Sequence, residues 1–99
     1  MTGPYKAPRV TPVVSTADAT LKSTGGEIYW ITISNTHATA ATAVELDNGG
    51  TDVWGVTVET SVDRDVLPFH AIFDPPIYCD TSIILDITGG TVKCTVGLR

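Results

Sequence analysis

Two histidines, two cysteines and eleven acidic residues are the groups in this 99-residue chain that could do chemistry. A histidine pair can bind a metal or relay a proton near neutral pH. His37, however, lies in an Ala/Thr-rich loop, and His70 falls on the outward alternation of a strand, between Pro68 and Ile72. Nothing in the spacing brings the two together, and no Cys/His interval matches a zinc site. Asp63 and Asp65 flank Arg64, while Asp74 and Asp80 bracket Pro75-Pro76. A calcium loop needs a denser run of oxygen ligands than either pair supplies. These acids read instead as turn residues that satisfy local backbone donors. Carboxylate pairs of the glycosidase type are compatible with the spacing, but a sheet this small leaves little room for a substrate cleft. No G-x-S-x-G, P-loop or dinucleotide fingerprint occurs. The Gly-Gly pairs at 25–26, 49–50 and 89–90 all fall between strands and read as turns. The expectation is a protein that is not an enzyme, with no catalytic residue, no metal site and no cofactor.

Cys79 and Cys94 pose a separate question. If the last nineteen residues form a hairpin about Gly89-Gly90, Leu85 faces Cys94, and Cys79 lies roughly 20 Å away along the strand. A disulfide requires Cα atoms within about 7 Å, so Cys94 reads as a small core residue.

Composition points to β structure. Sixteen Thr, eleven Val and eight Ile suit a pleated surface, and only 17% of residues are charged. The net charge of −5, with no Lys/Arg cluster, argues against nucleic-acid binding. No apolar run approaches the ~18 residues of a membrane helix, and the N-terminal stretch lacks a secretory h-region. The expectation is an intracellularly made protein with no membrane association.

The elements that position these residues follow from turn signals and alternation. Val10–Thr16 and Ala19–Lys22 read as strands. Residues 27–35, EIYWITISN, give the strongest strand signal, apolar on both faces in the first half. Residues 36–42 form a loop. Ala43–Asp47 and Thr51–Thr60 pair as a hairpin that sets Leu46 opposite Trp54 and Val44 opposite Val56, with a five-residue loop over 48–52. Val66–Phe73 has Leu67, Phe69, Ala71 and Phe73 inward, and Pro68 puts it at an edge. Asp74-Pro75-Pro76 ends that strand. In the final hairpin Ile87 faces Val92, Leu85 faces Cys94 and Ile83 faces Val96. Residues 83, 85, 87, 92, 94 and 96 then form one apolar face, with Asp86, Lys93 and Thr95 outward. No segment carries a helical period. Seven or eight short strands predict an all-β, antiparallel β-sandwich, jelly-roll-like, over residues 13–99.

Residues 1–12, with Pro4, Pro8 and Pro12, read as an extended N-terminal arm, expected to be held by a partner subunit. Tyr5, Trp30, Ile72 and Ile77 exceed what a core of this size needs, and apolar surplus marks an interface. Tyr5, Lys6, Arg9 and Trp30 are the expected interface residues: aromatic anchors and cations of the kind that carry contacts or steer encounter.

The strings GEIYWITISNTHATAATAVELDNGGTDVW, FDPPIYC and TSIILDITGGTVKCTVGLR together resemble small tailed-bacteriophage virion proteins, above all capsid decoration (cement) proteins and related β-sandwich head and fibre modules. The resemblance covers roughly residues 26–99 and rests on turn-and-strand patterns; the N-terminal arm is not part of it. It implies a virion structural role on the capsid surface, commonly as a homotrimer bound to the major capsid protein, made in the host cytoplasm. A fibre, tail or host-attachment module that binds a carbohydrate or surface receptor is the alternative.

Overall fold

A computed structural model describes residues 9–35, 40–59 and 68–99. The described residues form eight strands and no helix: β1 (Thr11–Ser15), β2 (Ala19–Lys22), β3 (Gly26–Asn35), β4 (Thr42–Asn48), β5 (Thr51–Val58), β6 (Phe69–Cys79), β7 (Ile83–Gly89) and β8 (Val92–Leu98). They make two antiparallel four-stranded sheets packed together. Sheet A has the order β1-β8-β3-β6 and sheet B the order β2-β7-β4-β5. The all-β sandwich expected from composition is therefore present. β1 takes in Thr11 and Pro12, two residues assigned to the arm.

The final hairpin is not a hairpin. β7 pairs with β2 and β4 in sheet B, whereas β8 pairs with β1 and β3 in sheet A. Leu85 lies beside Ala19 and Leu46, and Cys94 beside Ser15 and Ile33. The inward face is nonetheless as expected: Ile83, Leu85, Val92, Cys94 and Val96 are buried, and Ile87 packs against them. Alternation specifies which side chains point to the core. It is satisfied equally by two strands side by side and by two strands facing each other across that core. Of the Gly89-Gly90 pair, Gly89 alone adopts positive φ, at 93°, where a Cβ would lie 2.8 Å from the Ala41 carbonyl oxygen. The chain thus arches between sheets and makes each apolar strand a central one, covered on both edges.

The β4–β5 hairpin has the expected pairs, Val44 with Val56 and Leu46 with Trp54. Its loop is shorter than expected. Asn48 pairs with Thr51 around Gly49-Gly50, both at positive φ, and a bulge between Leu46 and Asp47 restores the faces. A second irregularity lies in β3, whose register shifts between Ile28 and Trp30 against both β6 and β8. Tyr29 is the extra residue, so Ile28 and Ile31, three apart, are both fully buried. This explains why both faces of the segment read as apolar. Opposite Tyr29, β6 carries Asp74-Pro75-Pro76. Proline has no N–H to give a ladder, yet β6 does not end there: it resumes at Ile77, opposite Ile28. β6 is an edge strand, as Pro68 suggested.

The core is Ile28, Ile31 and Ile33 of β3 against Val44, Leu46, Ile83 and Leu85 of sheet B, closed by Val92, Cys94 and Val96. Each such side chain contributes about 1.5–3 kcal/mol on burial. At one margin Trp54 of β5 meets Phe69 and Phe73 of β6, with ring centroids 5.9 and 5.5 Å apart. β5 and β6 are therefore stacked, and β1 and β2 lie at the opposite margin.

Candidate functional site

The register of sheet A lines up its outward residues in rows. One row runs Pro12, Gly97, Trp30, Ile72, and the next runs Val14, Thr95, Thr32, His70. Gly97 leaves the first row without a side chain on β8, and the Trp30 indole occupies that space. A Cβ on Gly97 would overlap Nε1 and Cε2 of the ring. Trp30 is thereby held half-buried against the sheet, with His70 tilted beside it at a centroid distance of 6.3 Å. Thr32 Oγ1 and His70 Nδ1 form a 2.7 Å hydrogen bond across β3 and β6. Around this centre Ile72 is 72% exposed, Val14 54%, and Pro12 is exposed. The result is an outward apolar strip across all four strands.

Of the expected interface residues, Trp30 is the centre of this strip. Arg9 is exposed just before β1. Tyr5 and Lys6 lie outside the described residues, as do His37, Asp63 and Asp65. Of the other apolar residues read as surplus, Ile72 is on the surface, but Ile77 packs against the core. Asp80 accepts hydrogen bonds from Asn48 Nδ2 (2.9 Å) and Thr81 Oγ1 (3.1 Å), which hold its carboxyl below the ordinary aspartate range. Asn48 Oδ1 in turn accepts from the Thr81 N–H. Asp80 thus ties the β6–β7 turn to the end of β4.

Sheet B carries a feature that single-residue reading missed. Its outer face sets Glu45 beside Gly55 on one side and Asp86 on the other, and Asp47 beside Asp52. Four carboxylates thus share three neighbouring strands. Asp47 is only 8% exposed, and its Oδ1 is buried without a hydrogen-bond partner. Burial first, then the neighbouring Asp52, Asp86 and Glu45, push the Asp47 carboxyl up to about 6. Glu45 is raised as well, chiefly by its contact with Asp52. Among the described residues, no cation offsets either group. The register read from the sequence left Asp52 in the 48–52 loop; the bulge between Leu46 and Asp47 brings it beside Asp47. Among the described residues, no three His, Cys, Asp or Glu are arranged to hold a metal ion.

An open pocket of about 210 Å³ lies at the β1–β2 margin, lined by Thr11, Val13, Leu21, Lys22, Leu98 and Arg99. It is small beside the roughly 300–1,000 Å³ of ordinary ligand sites. Both cysteines are free and buried. Cys79 pairs with Gly26 and Cys94 with Ile33 of the same strand, seven residues apart, or roughly 23 Å. Among the described residues, no helix is long and apolar enough to cross a membrane.

No family model, curated protein or solved structure matches this chain.

Proposed function

We propose that the chain is a structural protein of a tailed-phage virion, a capsid decoration protein that docks on the major capsid protein and stabilises the head. The observation that carries the reading is the strip centred on Trp30 and Ile72. An exposed apolar row across a whole sheet suits docking on a broad protein surface. The strand orders β1-β8-β3-β6 and β2-β7-β4-β5 support the jelly-roll reading, an architecture used by capsid and lectin domains. That part of the support is an analogy of fold. The sequence resemblance over residues 26–99 points the same way. A seat on the capsid exterior, as a homotrimer, belongs to the same reading.

The test is mass spectrometry of purified virions of the encoding phage. Expected is a fixed copy ratio to the major capsid protein. Heads lacking the protein should bind it when it is added back, and Ile72→Asp should weaken that binding at least about tenfold without unfolding the domain. Absence from purified virions would overturn the reading.

Trp30 also favours a second reading, a host-attachment module. An indole held flat over Gly97 beside Thr32 and His70 can stack on a sugar ring. A glycan array with no binding at millimolar ligand would remove it.

A further inference from the structure

Four sheet edges end this sandwich, and three are blunted. β1 has five residues and carries Pro12, β2 has four residues and a register shift, and β6 is interrupted by Pro75-Pro76. Proline, shortness and bulges are the usual protections of an edge. β5 is different. After its bulge it runs unbroken from Trp54 to Val58, with neither proline nor lysine, and among the described residues nothing pairs with its outer side. Its outward side borders the four carboxylates, one of which, Asp47, is nine-tenths buried with an unpartnered oxygen. Over Gly55 no side chain stands between the free edge and Glu45, whose Cγ lies 3.3 Å from where a Cβ would be. The inward side at the same edge presents the half-buried Trp54 and Val56 beside Phe69 and Phe73.

We propose that β5 receives residues 3–7 of a second copy of this chain as an added strand, with that copy's Lys6 set against Glu45 and its neighbouring acids. The segment GPYKA has the required pattern. Pro4 and Pro8 share parity, so their missing N–H groups fall on one side of an extended strand, while Gly3, Tyr5 and Ala7 keep theirs for the ladder. The same alternation puts Tyr5 and Ala7 on the Trp54 side and Lys6 on the acidic side. Lys6 is one of six cations in a chain of net charge −5. The donor must be another copy. β1 and β5 lie at opposite margins of different sheets, offset by three strand spacings in one direction and one sheet separation in the other, about 17 Å in a straight line. The four steps from Ala7 to Thr11 span at most about 14 Å. A contact of this head-to-tail kind closes into a ring or runs on as a filament. The proposal stands apart from the decoration reading, and its test contains no capsid.

The experiment is light scattering of the full-length protein after size exclusion, at low and high salt, with carbodiimide cross-linking and peptide mapping. Expected is a concentration-dependent oligomer that weakens about tenfold or more in 1 M salt, with a Lys6–Glu45 cross-link between copies. Lys6→Glu should yield monomer with an unchanged melting temperature, and Lys6→Glu combined with Glu45→Lys should restore the oligomer. A monomer at about 100 μM wild-type protein, an oligomer indifferent to Lys6→Glu, or no recovery in the double variant each overturns the proposal. So does a stoichiometric bound calcium ion on the acidic face.

Discussion

The Trp30 indole lies across the backbone of Gly97, in the space where any other residue on β8 would place its Cβ. Glycine in mid-strand ordinarily weakens a sheet; here it seats an aromatic ring. Gly97→Ala should push the ring off the sheet. A loss of about 1–3 kcal/mol is expected, as for other overpacked sites, with a red shift of tryptophan emission. Unchanged emission and stability would mean that the ring is not seated there.

Asn35 closes the far end of β3. Its Nδ2 donates to the carbonyls of Ala40 (3.1 Å), Val58 (3.2 Å) and Glu59 (2.8 Å), tying β3 to the segments that flank β4 and β5. Asn35→Ala leaves those carbonyls short of a donor. A cost of about 1–3 kcal/mol in chemical denaturation is expected, whereas Ser34→Ala on the outward face should change little.

The acidic face makes stability depend on pH in an unusual direction. Because the folded state raises Asp47 to about 6, and Glu45 also upward, the native protein binds more protons than the unfolded chain between about pH 4 and 6. Stability therefore rises as pH falls from 7.5 through 6. The gain is largest near pH 4, below which the depressed Asp80 begins to oppose it. Asp47→Asn should flatten this slope and stabilise the protein at pH 7.5 by about 1–2 kcal/mol. Thermal melts at pH 5 and 7.5 check both: a lower midpoint at pH 5 in the wild type would contradict the assignment.

Burial pushes both thiols up, Cys94 to about 11. Neither forms appreciable thiolate at pH 8. A colorimetric thiol reagent should therefore find no fast-reacting group in the native protein and two in guanidinium, with no change on prior reduction. One rapid native equivalent would show that a thiol is accessible.

Which residues face the core was legible in the sequence. Period-2 alternation identified Ile83, Leu85, Val92, Cys94 and Val96, and matching of apolar faces paired Leu46 with Trp54. Both follow from the pleat, a local property of the chain. Whether consecutive strands lie side by side or face each other is not local. β7 and β8 satisfy the same alternation either way, and their separation into two sheets was settled by what else each could pair with. The same limit hid the candidate surfaces. Glu45, Asp47, Asp52 and Asp86 come from three strands, and Pro12, Gly97, Trp30 and Ile72 from four. Trp30 could be singled out from sequence as lacking a place in the core. Its resting place on Gly97, sixty-seven residues away, exists only once β3 and β8 are paired, because a row across a sheet is a property of register between strands that the chain itself does not order.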